Sequence, residues 1–265
     1  MRVLVTNDDG IHARGLWTLV RELAGVAEVT VVAPDREQSG VGTSVTLHHA
    51  LRLRRERTRV RGVEAYSVEG TPADSVIIAV GHVIKEGVDL VVSGINAGAN
   101  LGNDIFISGT VGGALQGYFY GITSLAIGVA AAENQRFGLA ARLAGLLVGH
   151  IARMALPQPF LLNITLPNQP LSRIRGIEVT RPGRRSYHDV IQEGHDGRRD
   201  YYWIARGKAE WHKDPGTDVR AVLGNRVSIT PLEPDLSRSP IVPDLKRLCP
   251  LLFEELRSKT RAPVG

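Results

Sequence analysis

The sequence has a single cysteine, Cys249, and aromatic residues make up only 5% of its 265 positions. One cysteine excludes an intrachain disulfide framework and any metal site built from several thiolates. No uninterrupted apolar run reaches the length of a membrane-spanning helix. Because Met1 leads directly into the first predicted strand, no signal peptide is expected. These absences predict a soluble, cytoplasmic protein with no membrane partner.

Lysine is also scarce, since only five of the 32 basic residues are lysine and the others are arginine. The formal net charge is +5 and the isoelectric point is about 9.6. Arginine suits bidentate recognition of phosphate, but an arginine excess also follows from GC-rich coding. The charge is therefore compatible with an acidic or phosphorylated partner without demonstrating one.

Residues 45–69 have the partly alternating pattern of an antiparallel hairpin, and six arginines crowd positions 52–61. Such a segment either binds nucleic acid or forms a solvated hairpin whose charges discourage edge pairing. No aromatic residues interleave with these arginines to stack on bases, which favours the solvated hairpin. A nucleic acid is therefore not the expected partner.

Strands and helices alternate through the first two thirds of the chain. A short apolar run around Leu4 is followed by an amphipathic helix over 12–25 and a second apolar strand over 28–34. This is a strand–helix–strand unit, which is right-handed by default. Further strands are predicted over 88–96, 125–130 and 160–164, with helices between them. The pattern predicts an α/β fold with a doubly wound, mostly parallel sheet.

After residue 167 the composition changes. Residues 177–180 and 201–205 predict the strands of a protruding β-hairpin, core-like patterning returns over 217–231, and a last helix is predicted over about 241–258. The expected division is an α/β catalytic domain over 1–170, a protruding hairpin involved in oligomerisation over 171–215, and a return to the core with a C-terminal helix over 216–265.

Polar side chains follow the ends of three predicted parallel strands. Asp8 and Asp9 come after the first strand, Ser39 after the second, and Asn96 after the strand at 88–93. In a doubly wound sheet these ends lie on one rim, where carboxylate, hydroxyl and amide oxygens together suit Mg²⁺ or Mn²⁺. Zinc is disfavoured because no histidine pair at ligand spacing accompanies the acids. For the acid pair alone, a solvated Asx-type turn is the alternative interpretation.

Two glycine-rich stretches, residues 93–102 and 108–113, could let backbone N–H groups approach an anion. The second leads into a predicted helix N-terminus, which is a favourable position for phosphate. No Gly-Lys-Ser/Thr follows, and no Gly-x-Gly-x-x-Gly follows the first strand, so neither a Walker A loop nor a dinucleotide site is supported. Tight turns and close helix packing also explain the glycines. A phosphate cradle on the same rim as a metal site indicates phosphoryl transfer.

A non-enzymatic regulator of the receiver type is a different class that also has an acidic pair after its first strand. Such a domain needs a phosphoacceptor aspartate at a later strand end and a lysine beyond it. Here the later strand ends at Asn96, and no lysine follows the strand at 125–130. The sequence therefore disfavours this class.

Five long motifs occur in a characteristic order along the chain. They are Val5–Ile11, Ala33–Gly40, Gly70–Asp74, Val92–Gly98 and Ser108–Gly112. These motifs closely resemble those of the SurE family, the stationary-phase survival proteins that are 5′/3′-nucleotidases. Residues 217–219 and 227–232 are similar to the late motifs of the same family, so the resemblance extends from residue 2 to about residue 232.

The resemblance implies a metal-dependent phosphomonoesterase that hydrolyses nucleoside 5′- and 3′-monophosphates, with short polyphosphate as a further substrate in some relatives. It implies a three-layer, Rossmann-like arrangement of the doubly wound sheet. It also implies a homodimer or homotetramer in which the protruding hairpin and a swapped C-terminal segment exchange contacts between subunits. One divalent cation, Mg²⁺ or Mn²⁺, is expected in each subunit.

The resemblance also assigns roles to individual residues. The implied metal ligands are Asp8, Asp9, Ser39 and Asn96, and the implied catalytic residues are Asp8, Asp9 and Asn96. Asn7 is expected to orient the two acids. The implied phosphate-binding residues are Gly40, Ser108, Gly109 and Thr110. The nucleophile, either water on the metal or an aspartate carboxylate, is left open, as are the general acid and the base preference.

Overall fold

The computed structural model describes residues 1–58, 60–131, 133–154, 157–186, 189–206, 210–235 and 242–260. The strands are β1 (Arg2–Thr6), β2 (Glu28–Pro34), β3 (Leu53–Glu56), β4 (Glu64–Val68), β5 (Leu90–Asn96), β6 (Thr123–Ala130), β7 (Leu161–Pro167), β8 (Ile177–Val179), β9 (Arg185–Ser186), β10 (Asp189–His195), β11 (Asp200–Arg206), β12 (Glu210–Trp211) and β13 (Val227–Leu232). The α-helices are α1 (Arg14–Leu23), α2 (Pro72–Ile78), α3 (Gly109–Phe119), α4 (Phe137–Ile151), α5 (Asp218–Leu223) and α6 (Val242–Thr260). A short π-helix (Ala79–Val83) follows α2, and 3₁₀ helices span Gly102–Phe106 and Leu171–Arg173.

Nine strands form the main sheet in the order β3-β4-β2-β1-β5-β6-β7-β13-β8. The six strands from β4 to β7 in this order pair in parallel, whereas β3 is antiparallel to β4 and β13 is antiparallel to β7. The chain passes from β1 to β2 on one side and later returns to β5 on the other, so β1 lies at the topological switch point. The prediction of a doubly wound, mostly parallel α/β sheet is confirmed.

Successive residues of β1 face opposite sides of the sheet, and both sides are covered. Val3 and Val5 belong to a core with residues of α1 and α4, whereas Leu4 belongs to a second core that contains Val76 of α2. A parallel strand with helices on both faces has no solvent side, which explains the continuous apolar run. The arrangement has three layers, and it places the end of β1 in the middle of the sheet.

One prediction about strand pairing is confirmed in part, and a second was wrong. Within 45–69, β3 and β4 form the predicted antiparallel pair, but residues 45–52 form no strand and β4 also pairs in parallel with β2. The strand predicted at 177–180 is β8, which pairs in parallel with β13. The strand predicted at 201–205 is β11, which forms its antiparallel hairpin with β10 instead. Local alternation of apolar and polar residues indicates a strand but does not determine which strand pairs with it.

The chain separates into two compact units, Met1–Leu232 and Glu233–Gly265. The second unit contains α6, which confirms the predicted last helix from residue 242 onward, while residue 241 lies outside the described residues. The division at residues 170 and 215 and the swapped C-terminal segment stay predictions. Among the described residues, no helix is both long enough and apolar enough to cross a membrane.

Candidate active site

The turn after β1 is held by its own backbone and by Asn7. Gly10 has a φ of +94°, and a Cβ there would lie 3.0 Å from the carbonyl carbon of Arg36. Glycine therefore suits this position on both counts. Asn7 is buried and donates through Nδ2 to the carbonyl oxygen of Gly10 at 3.0 Å. Asn7 thus holds the turn that carries the acid pair, and its expected influence on the acids would act through the backbone.

Asp8 is almost completely buried, with 3% of its surface exposed. Its Oδ1 accepts the hydroxyl hydrogen of Thr110 at 2.5 Å, and its carbonyl oxygen accepts the Gln38 N–H at 2.7 Å. Burial raises the pKa of Asp8 from 3.8 to about 6, although hydrogen bonds from the Thr110 side chain and backbone oppose the shift. The charge of Asp9 adds to the rise. The ionised form of Asp8 is therefore partly compensated by α3 and would gain from a nearby cation.

Asp9 joins the ends of β1 and β5. Its Oδ2 accepts the backbone N–H of Ala97 at 3.1 Å. Burial raises the pKa of Asp9, and the charge of Glu37 acts in the same direction, while the Ala97 hydrogen bond opposes both. Two neighbouring carboxyl groups with raised pKa values at one site favour an added positive charge.

Ser39 lies on the loop after β2, close to a third acid. Its hydroxyl donates to Oε1 of Glu37 at 2.8 Å, and both side chains are exposed. The hydrogen bond from the Gln38 N–H to the carbonyl oxygen of Asp8 anchors this loop to the end of β1. Glu37 was not singled out from the sequence, although it lies within the same motif as Ser39.

Asn96, the last residue of β5, has its amide group fixed by two acceptors. Nδ2 donates to the carbonyl oxygen of Gly98 at 3.2 Å and to Oδ1 of Asn100 at 3.1 Å. Both amide hydrogens are therefore used within the protein, and the amide oxygen is the atom that could serve a cation. This geometry is compatible with the ligand role expected for Asn96.

Asn100 organises the loop between β5 and α3, and sequence reasoning missed it. Its Oδ1 accepts from Asn96 and also from the Ser108 hydroxyl at 2.9 Å, and its carbonyl oxygen accepts from Asn163 at 2.6 Å. Ser108 in turn caps α3 by accepting the Val111 N–H at 3.1 Å. The Nδ2 atom of Asn100 is buried and has no hydrogen-bond partner among the described residues. The signal was present in the sequence as a second asparagine in the glycine-rich stretch.

Gly109 and Thr110 lie behind Asp8. A Cβ at Gly109 would lie 2.7 Å from Cβ of Asp8 and 2.9 Å from the carbonyl oxygen of Gln38. This position therefore requires glycine, because α3 begins directly against the end of β1. Thr110 is fully buried, and its hydroxyl is used by Asp8. Neither residue lines the cleft described next, so their expected contact with phosphate stays a prediction.

One cleft of about 980 Å³ collects the polar groups of this rim. Its polar lining consists of Asp8, Asp9, Glu37, Ser39, Asn96, Asn100, Asp104, Ser108 and Gln135. Its larger apolar lining residues are Leu101, Ile107, Val219, Val222 and Leu223. The four expected metal ligands, together with Gly40 and Ser108, therefore lie in one cleft. The apolar residues from α5 were not predicted to lie here, because they are more than 100 positions beyond the last predicted site residue, Thr110.

The donors in this cleft fit a hard divalent cation. Carboxylate, hydroxyl and amide oxygens are the ligands that Mg²⁺ and Mn²⁺ prefer. Within the described parts of the chain, no group of three or more His, Cys, Asp or Glu side chains could hold a metal. A cation here would therefore combine two carboxylates with neutral oxygens and water. The burial of Asp8 and the partial burial of Asp9 support this fit, because a cation offsets the desolvation that raises both pKa values.

Comparison with known proteins places this geometry in a family. A model of the family described as Survival protein SurE matches residues 3–189. The chain is 46% identical over 242 residues to the 5′-nucleotidase SurE of Dehalococcoides mccartyi, covering 91% of each chain. It is also 46% identical over 239 residues to the 5′-nucleotidase SurE of Moorella thermoacetica, covering 89% of this chain and 92% of the relative. The crystal structure of the SurE protein from Aquifex aeolicus superposes with a TM-score of 0.79 at 38% identity, covering 94% of this chain and 99% of that one. The chain therefore belongs to the SurE family.

Proposed function

We propose that this protein is a metal-dependent nucleotidase that hydrolyses nucleoside monophosphates to nucleoside and phosphate. The observation that carries the proposal is the cleft, in which Asp8 and Asp9 lie beside Ser39 and Asn96 at the switch point of the sheet. Relatives named 5′-nucleotidase SurE, matched along about nine tenths of this chain, support the reaction class.

Asp8, Asp9, Ser39 and Asn96 would hold one Mg²⁺ or Mn²⁺. When bound, such an ion polarises a phosphate oxygen and lowers the pKa of a water molecule beside it. Asp8 is suited to this role because burial and Thr110 restrict its carboxylate to one position. Asp9 is suited because the hydrogen bond from the Ala97 N–H uses only Oδ2 of its two carboxylate oxygens.

The phosphate would be held by the chain itself. Gly40 lines the cleft on the loop after β2, and Ser108 lines it at the start of α3. The Nδ2 atom of Asn100, which has no hydrogen-bond partner in the described part of the chain, adds a buried donor to this set. Because the Ser108 hydroxyl hydrogen is used by Asn100, we propose that the Asn100 amide contributes more than the Ser108 hydroxyl.

The test is phosphate release from a panel of nucleoside monophosphates, with Mg²⁺, Mn²⁺ and EDTA compared. We expect release from AMP and GMP with either metal and none with EDTA. The 3′-monophosphates and short polyphosphate are separate arms, because those two activities come from the family resemblance alone. Folded protein that releases no phosphate from any nucleotide with any metal contradicts the proposal.

The expected homodimer or homotetramer and cytoplasmic location belong to the same proposal. The β10–β11 hairpin exposes Tyr202, Trp203 and Ile204, and such a row of large apolar residues favours self-association. Light scattering after size-exclusion chromatography measures the oligomeric state directly. A monomer at micromolar concentration contradicts the proposed self-association.

A further inference from the structure

The end of the cleft formed by α5 is apolar. Leu101, Val219 and Val222 form a buried cluster with each other. Leu223, at the end of α5, lines the same cleft but leaves 53% of its surface exposed. A leucine in this position offers a contact surface to whatever enters the cleft beside the polar residues.

This apolar wall is fixed to the polar loop by Asp218. The side chain of Asp218 is buried and accepts the Gly102 N–H through Oδ2 and the Gly183 N–H through Oδ1, both at 2.8 Å. Gly102 follows directly after Asn100 and Leu101. The loop that carries the asparagines and the helix that carries Leu223 are therefore joined by a buried carboxylate, which connects the polar and apolar sides of the cleft.

We propose that the apolar wall, with Leu223 as its exposed contact, receives the nucleoside part of the substrate. The inference rests on the proposed nucleotidase function. It adds the subsite that contacts the nucleoside. A cleft of about 980 Å³ is far larger than a phosphate group requires and lies within the range that accommodates ligands of nucleotide size. The faces of a nucleobase are apolar, and burying one of them against the exposed Leu223 side chain removes both surfaces from water.

The substitutions Leu223→Asp and Leu223→Ala test the subsite, with Leu146→Asp as the matched control. Leu146 lies on α4, is 58% exposed and does not line the cleft. The measurements are inhibition of AMP hydrolysis by adenosine and by inorganic phosphate. We expect Leu223→Asp to raise KM for AMP and the inhibition constant of adenosine about tenfold, and Leu223→Ala about threefold. kcat and the inhibition constant of phosphate should stay within about twofold, and the control should match the unmodified protein.

The subsite is contradicted if Leu223→Asp raises the inhibition constants of adenosine and phosphate equally, or changes neither of them. Calorimetric titration of adenosine into the unmodified protein and into Leu223→Asp provides a second measurement that needs no turnover. If the protein hydrolyses no nucleotide yet binds adenosine through Leu223, the proposed function fails and the subsite stands. If it hydrolyses AMP but adenosine binding is the same in both proteins, the subsite fails and the function stands.

Discussion

The hydroxyl of Thr110 donates to Oδ1 of Asp8 at 2.5 Å, across 102 positions of the chain. The contact joins the first turn of α3 to the end of β1. Family resemblance assigns Thr110 to phosphate, whereas the geometry shows its hydroxyl directed to a carboxylate expected to hold the metal. Asp8 therefore has two opposing influences, burial that disfavours its charge and a helix N-terminus that favours it.

Replacing Thr110 with valine should impair the site while preserving its shape. The substitution removes a hydrogen bond to the charged form of Asp8, so the pKa of Asp8 should rise further. We expect kcat/KM for AMP to fall about tenfold at pH 7, and the acidic limb of the pH profile to move to higher pH. Thr110→Ser keeps the hydroxyl and should retain activity within about threefold. Equal activity of the valine and serine variants would refute the role of this contact.

Asp8→Asn and Asp9→Asn should each lower kcat by at least about 10²-fold, because one lost charge weakens both metal binding and water activation. Phosphate release at saturating Mg²⁺ or Mn²⁺ measures the effect. Asp214→Asn, at an exposed acid outside the cleft, is the control and should be fully active. Near-normal turnover in both cleft variants would exclude the proposed ligand set.

Gly109→Ala should disrupt the site, whereas Gly138→Ala should not. The added methyl at Gly109 would lie 2.7 Å from Asp8 Cβ and 2.9 Å from the Gln38 carbonyl oxygen, whereas at Gly138 it meets no atom of the described residues within 4 Å. Both glycines lie in the first turn of a helix. We expect Gly109→Ala to destabilise the protein by about 1–3 kcal/mol, and Gly138→Ala to stabilise it by about 0.5–1 kcal/mol. Urea unfolding monitored by circular dichroism measures both, and a neutral Gly109→Ala is the contradicting result.

Asp218→Asn should destabilise the chain and loosen the cleft. An amide group can accept only through its oxygen, so one of the Gly102 and Gly183 N–H groups would face another donor. The expected loss is about 1–3 kcal/mol in the free energy of unfolding. Asp214→Asn, which makes the same charge change at an exposed position four residues earlier, should be neutral. Matching unfolding curves for the two variants would remove the structural role given to Asp218.

The metal-free protein should lose stability as the pH rises through the pKa of Asp8. Burial raises the pKa of Asp8 from 3.8 to about 6, so the folded state binds a proton more tightly than the unfolded state. The stabilisation is complete below about pH 4 and is lost as the pH approaches and passes 6. Between pH 5 and pH 7 the free energy of unfolding should fall by about 1 kcal/mol from this group, taking about 1.36 kcal/mol per pKa unit.

Urea unfolding in EDTA at the two pH values measures this loss. Asp8→Asn is the comparison, because the variant lacks the Asp8 carboxyl group. The difference between pH 5 and pH 7 should be smaller in the variant by about 1 kcal/mol. An identical pH dependence in the two proteins would show that Asp8 does not titrate in this range.

Local patterns in the sequence predict the class of fold and the rim on which the site lies. The apolar run of β1 and the turn at Asn7–Gly10 are local signals, and the carboxyl ends of parallel strands meet at one edge. These rules predict one rim for Asp8, Asp9, Ser39 and Asn96, which line one cleft in the structure. Five ordered motifs indicate the family that the comparisons confirm.

Which residues face one another depends on how the whole chain packs. In the folded chain, the Thr110 hydroxyl donates to Asp8. Asn100 accepts hydrogen bonds from both Asn96 and Ser108. Asp218 connects α5 to the polar loop. The fold also places β8 beside β13, where alternation had suggested a hairpin partner. Periodicity and turn chemistry act over a few neighbouring residues, whereas these contacts join segments far apart in the chain, and only the packing of the whole fold selects them.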